Sequence, residues 1–275
     1  MYLAMDDFGE DYAQEIKKLN SEKDRWKRIA DIACQYGLKG IQINPSVYKG
    51  QMGLSLNMIP NYFDKFRLTY HIGGLFTLES EDDYNNLNNR ISEALDISAE
   101  HGVEDVSFHP PFIKNENDKI RDNIKGYLNR LIEYWISRFL DKNITLSLET
   151  HVTSKYFVFK GLSDYSKFVS NYRELGVLID ISHNFYDKYS VDEILDTLKD
   201  LKITGLHLSD AISKEEFHKG THLPIGKGNI DFGKIITQFK DNPNICGALE
   251  IKGLSKEISE SINILNAFLS NRADH

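Results

Sequence analysis

Six segments of the chain end on a residue able to hold a cation or move a proton. LTYHIGG carries His71, VSFHPP carries His109, LSLETH carries Glu149 and His151, and VLIDISH carries Asp180 and His183. GLHLSD adds His207 and Asp210, and GALEIK adds Glu250 and Lys252. Each polar residue follows an apolar, β-branched run, where a buried strand would stop. Carboxylates are rarely buried unless paired or bound to a cation, and neither Glu149 nor Glu250 has a basic residue beside it. Oxygen and imidazole donors without thiolate suit Zn²⁺, Mn²⁺, Co²⁺ or Mg²⁺. The constellation predicts a divalent-metal centre.

Each residue also has a purely structural reading. A lone strand-end histidine is more often a satisfied polar group than a ligand, and His101, at a helix end, is read that way. Asp180-x-x-His183 also fits a loop-capping pair. Lys252 falls on the same side as Glu250 by the two-residue period of a strand, so a Glu250–Lys252 ion pair is the alternative for those two. A further segment, HKGTHLPIGKGNIDF, places His222 before a Gly226-Lys227-Gly228 loop, with Asp231 as the expected N-cap of the next helix. The glycine loop is either a plain turn or an anion cradle of backbone N–H groups.

Something must bring these strand ends together. Short β-branched runs alternate with longer amphipathic ones. The strand candidates are Tyr2–Met5, Gly40–Ile43, Arg67–Tyr70, Asp105–Phe108, Ile144–Leu148, Gly176–Ile179, Thr204–Leu208 and Gly247–Ile251. Helical periodicity marks Ser21–Tyr36, Asp82–His101, Lys119–Leu140, Leu162–Tyr172, Val191–Leu198, Gly233–Phe239 and Lys256–Ser270. Gly37, Gly102 and Gly176 stand where helices should end in a left-handed residue. Strands such as GVLID are apolar at consecutive positions, the pattern of a parallel sheet covered on both faces. Eight such units in 275 residues predict one domain, a single (β/α)8 TIM barrel spanning 1–275. The active mouth of that fold lies at the C-terminal strand ends, where the polar residues fall. A GxGxxG after the first strand, the mark of a dinucleotide fold, is missing.

Composition narrows the function further. The net charge of −8 makes the chain a poor non-specific polyanion binder. Two distant cysteines, Cys34 and Cys246, form no CxxC pair and suit a reducing compartment. The acidic start MYLAMDDFGEDYAQ lacks the basic and apolar stretches of a secretory signal. No apolar run reaches the ~18 residues of a membrane span, so a cytoplasmic location is expected. A homodimer is the default assembly. The Asn44–Asn61 segment, with Tyr48, Met52, Met58 and nearby Tyr62, either overhangs the mouth, packs on the body or meets another subunit.

From about the third strand onward, SFHPP, SLETH, LIDISHNF, GLHLSD, HLPIGKGNIDF and ALEIK occur in an order that resembles the xylose-isomerase-like TIM-barrel superfamily. That superfamily holds sugar (phosphate) isomerases and epimerases and also endonuclease IV. Resemblance to the first branch implies one metal ion on Glu149, Asp180, His207 and Glu250. It also implies proton transfer between Glu149 and Glu250 through an enediolate, with His183 orienting a substrate oxygen. Epimerases of this branch use an arginine after strand seven, and none lies between His207 and Glu250 here; His222 and Lys252 are the nearest substrate-binding candidates. Resemblance to endonuclease IV implies up to three zinc ions, on His71, His109 and Glu149, on Asp180, His207 and Glu250, and on His183 with His222. An aspartate of that third set is Gly220 here, with His218 as a substitute, and the early DNA-inserting segments of that family have no counterpart. The expected substrate is therefore a small sugar or sugar phosphate, with an endonuclease-IV-like phosphodiesterase on nucleic acid or a smaller phosphoester as the alternative.

Overall fold

The computed structural model describes residues 1–6, 9–114, 117–151, 157–213 and 217–270, with the side chains of 217 and 218 outside the description. Strands β1 (Tyr2–Met5), β2 (Gly40–Ile43), β3 (Arg67–Ile72), β4 (Val103–Phe108), β5 (Thr145–Glu149), β6 (Gly176–Asp180), β7 (Ile203–Leu208) and β8 (Cys246–Leu249) are all parallel. They run in the order β1-β8-β7-β6-β5-β4-β3-β2, and Lys39 N donates to Leu3 O at 3.1 Å to bring the two outer strands together. The result is the expected (β/α)8 barrel, nearly closed.

The helices form where caps and apolar spacing coincide. They are α1 (Glu10–Lys17), α2 (Glu22–Gln35), α3 (Glu81–His101), α4 (Asp118–Leu140), α5 (Leu162–Val169), α6 (Ile181–Tyr186), α7 (Val191–Leu198), α8 (Phe217–Gly220), α9 (Phe232–Phe239) and α10 (Ser255–Ser270). Ser21 caps α2 through Asp24 N, and its inward face buries Trp26, Ile29, Ala30, Ile32 and Ala33. Full burial of each large apolar side chain contributes about 1.5–3 kcal/mol. Ser190 and Glu193 form a reciprocal capping box on α7. Gly102 ends α3 in the left-handed region (φ 67°) as expected.

Gly176 does not end a helix. It opens β6, and a Cβ there would collide with Ser147 Oγ and the methyls of Thr204 and Thr145. Its role is close approach of strands rather than a left-handed turn. In the Asn44–Asn61 segment, Tyr48 and Met52 are fully buried, and the Tyr48 ring lies 5.6 Å from Trp26. Tyr48 therefore packs against α2 and Met52 belongs to the core, whereas Met58 is 63% exposed.

Candidate metal centre

Glu149 closes β5, Asp180 closes β6, His207 is the penultimate residue of β7, and Glu250 follows β8 directly. Parallel register sets Asp180 beside His207. Asp180 Oδ1 is committed to capping α6, accepting from His183 N at 2.7 Å and Ser182 Oγ at 3.0 Å, so Oδ2 is the oxygen left for a ligand. Donor atoms of Glu149, Asp180, His207 and Glu250 all lie within 4.8 Å of one another. His207 Nδ1 is 3.3 Å from Glu149 Oε1, 3.1 Å from Glu250 Oε2 and 3.8 Å from Asp180 Oδ2.

His71 and His109 form a second group with the same Glu149. Their Nε2 atoms lie 3.5 and 3.0 Å from Glu149 Oε2. One carboxylate thus offers an oxygen to each group.

The outer ring nitrogens decide which inner ones carry a lone pair. His109 Nδ1 lies 3.1 Å from the Gly74 carbonyl and must donate to it. His71 Nδ1 meets Ser107 Oγ at 3.0 Å, and that hydroxyl donates onward to Tyr70 O. With the outer nitrogens protonated, neutral rings turn bare nitrogens toward carboxylate oxygens, an arrangement that repels unless a proton or cation lies between. Glu149 Oε1 and Oε2, Asp180 Oδ2, His207 Nδ1 and Glu250 Oε2 are buried and make no hydrogen bond among the described residues. Buried carboxylates with neither a proton nor a cation between them and their neighbours cost several kcal/mol each. The donor set fits a divalent cation, in chemistry and in arrangement.

The electrostatics agree. Burial drives His71 down to about 3, so that ring is neutral. Burial also opposes charge on His109, but Glu149 outweighs it and lifts the imidazole to about 9. His207 is raised well above the ordinary histidine range, burial being overcome by Glu250 and Glu149. Against their own burial, Glu149 is held well below the carboxylate range by His109, His207 and His71, and Glu250 by His207 and His222. Without an ion, protons on His109 and His207 supply the balancing positive charge.

Other expected residues fall at the edge. His183 Nδ1 is 3.3 Å from Asp180 Oδ2, and His183 Nε2 is 3.0 Å from His222 Nε2. His222 takes a left-handed backbone (φ 56°) and directs Nδ1 to the Glu250 carbonyl at 3.2 Å. The two touch the four-donor group, but no third group of metal donors forms among the described residues; the His218 side chain lies outside the description. Lys252 is exposed and forms no ion pair with Glu250. His151 stacks on Phe157 with centroids 4.1 Å apart and tilts against His183 at 4.6 Å.

One contributor, Gln42, escaped sequence reasoning, and Asp210, singled out as a strand-end residue, serves a different role. Gln42, the one polar side chain in the apolar strand GIQI, reaches His207 Nε2 with Oε1 at 2.8 Å. Asp210 fills the glycine loop: Oδ2 accepts from Gly226 N and Gly228 N at 2.9 and 2.8 Å, and Oδ1 from Ala211 N and Ile230 N at 2.9 and 3.1 Å. The loop does cradle an anion, but that anion is the chain's own Asp210, so the external-anion alternative is withdrawn. Asp231 caps α9 as expected, accepting from Lys234 N.

The profile of the xylose isomerase-like TIM barrel family matches residues 30–268. The chain belongs to that family. Among solved structures, a putative xylose isomerase from Rhodospirillum rubrum superposes with a TM-score of 0.75 at 14% identity, covering 97% of this chain and 99% of its own. A D-tagatose 3-epimerase-like protein gives 0.73 at 19% identity, covering 98% and 97%. The IOLI protein with a bound zinc atom gives 0.69 at 15% identity, covering 98% of each chain. These likenesses are of fold. No curated protein matches the sequence significantly. No helix among the described residues is long and apolar enough to cross a membrane.

Proposed function

We propose that this member of the family is a divalent-metal-dependent isomerase or epimerase acting on a small sugar or related polyol. One observation carries the reading: donors of Glu149, Asp180, His207 and Glu250, the first three residues buried, converge within 4.8 Å from four successive strand ends. A divalent ion held there would polarise a substrate carbonyl and its adjacent hydroxyl, making the C–H between them acidic. Glu250 is the member of the four whose side chain is partly exposed, at 22% against 0% for Glu149 and His207, and it takes the proton. Glu149 returns a proton from the other side, drawing on His109, whose Nε2 stands 3.0 Å from its Oε2. His183 and His222 orient a substrate oxygen at the edge of the group. The epimerase-like and isomerase-like structures of similar fold support this choice of substrate class.

A second reading rests on His71 and His109. They give Glu149 a second donor group, and two ions sharing one carboxylate suit hydrolysis of a phosphoester. Metal analysis after chelation and reloading separates the two. One Mn²⁺ or Co²⁺ per chain, with solvent deuterium entering a bound ketose, supports the isomerase. Two Zn²⁺ with cleavage of bis(p-nitrophenyl) phosphate favours the hydrolase, and no metal uptake overturns both.

A further inference from the structure

Strands β3 to β8 each bring a carboxylate or imidazole to the mouth, whereas β2 brings an amide from within its length. Gln42 is 2% exposed. It crosses the barrel to His207, a residue 165 positions away, and meets Nε2 at 2.8 Å. His207 is the lone imidazole of the four-donor group, and its Nδ1 faces Glu149, Glu250 and Asp180. An imidazole binds a metal through one nitrogen only if its proton resides on the other, and what that other nitrogen bonds fixes both tautomer and ring plane.

We infer that Gln42 is a positioning residue for the metal centre: its Oε1 holds the proton of His207 on Nε2 and so keeps Nδ1 as the ligand atom. The inference rests on the metal reading above and adds a residue that touches neither ion nor substrate. The geometry allows little else to do this, since His207 is fully buried and bulk water does not reach Nε2. A neutral acceptor also suits the charge of the site. Glu149, Asp180 and Glu250 already bring three carboxylates to the group, and an amide fixes the tautomer without adding to that charge. With the amide turned over, its NH₂ would face Nε2 and favour the tautomer with Nδ1 protonated, which cannot ligate.

Cobalt(II) titration of the chelator-treated full-length protein tests this, read by visible d–d absorption and by competition with a chelating dye. Gln42→Met keeps length and removes the acceptor. We expect it to weaken cobalt binding by about 10- to 100-fold while the melting temperature of the metal-free protein stays that of the unaltered chain. Gln42→Glu restores an acceptor and should bind cobalt at least as tightly as the unaltered protein. A residue serving packing alone would give the reverse order, with Met tolerated and a buried Glu disruptive. If Gln42→Met lowers the metal-free melting temperature, Gln42→Asn, which keeps the amide but shortens its reach, should show the same loss of affinity. Equal affinity in Gln42→Met and the unaltered protein, or a Gln42→Glu variant as weak as Gln42→Met, overturns the inference while leaving the metal site standing. Failure of the unaltered protein to take up cobalt overturns the metal reading and this inference with it.

Discussion

Replacing Glu149 by Gln removes the one side chain common to both donor groups. One of three donors is lost from the His71–His109–Glu149 group and one of four from the other. A ligand that binds only the folded state stabilises it by about 2.7 kcal/mol when present at a hundred times its Kd. For a chain of this size, each kcal/mol moves Tm by about 2–4 °C. Metal at that excess should therefore raise Tm of the unaltered protein by about 5–10 °C over the chelated form. In Glu149→Gln the rise should fall below about 2 °C. Asp180→Asn and His71→Ala each touch a single group and should keep part of the shift. Differential scanning fluorimetry across a metal titration reads all three variants, with bound metal measured in parallel. If Glu149→Gln keeps the full shift while His71→Ala or Asp180→Asn loses it, the shared-carboxylate geometry is wrong.

Other outcomes follow from the same structure. Affinity for an ion in the His71–His109–Glu149 group should rise with pH until about 9, because that ion must displace the proton that Glu149 holds on His109; isothermal titration in two buffers of different ionisation enthalpy should show proton release that shrinks toward pH 9. Burial raises Asp105 to about 7, so its contribution to stability is complete below the unfolded pKa of 3.8 and is lost as pH rises through about 7. Asp105→Asn should thus stabilise the protein at pH 8, by up to about 4 kcal/mol, and far less at pH 5 in urea melts. Asp210→Ala strips the acceptor from four backbone N–H groups and should cost about 2–4 kcal/mol, read by the same melts.

The strand ends were legible because each places a charge or imidazole directly after a buried apolar run, a conflict that local structure does not resolve. Eight such runs separated by helical periodicity lead to the barrel without further help. The misses have physical causes. Helix α1 buries only Ala13 and Ile16, too little apolar surface to leave a periodic signal. Helix α6 starts from the cap that Asp180 itself provides, so it hides inside a motif that reads as strand and ligand. Gly176 looked like a helix stop, whereas its constraint comes from Ser147 and Thr204 on neighbouring strands. Gln42 and His207 lie on opposite sides of the sequence and meet only across the closed barrel. Pairing of nitrogens with particular oxygens is likewise a property of closure, not of any segment.

The division of Glu149 between two donor groups has a thermodynamic consequence. Two ions that share a carboxylate cannot bind independently. Occupancy of the His71–His109 side would fix the Glu149 side chain and draw its charge, altering affinity on the Asp180–His207–Glu250 side. Linkage requires the reverse effect to be equal in size. At limiting metal, a population of this protein would then depart from the mixture expected of independent sites, toward empty and doubly loaded molecules if fixing the side chain dominates, or toward singly loaded ones if withdrawal of its charge does.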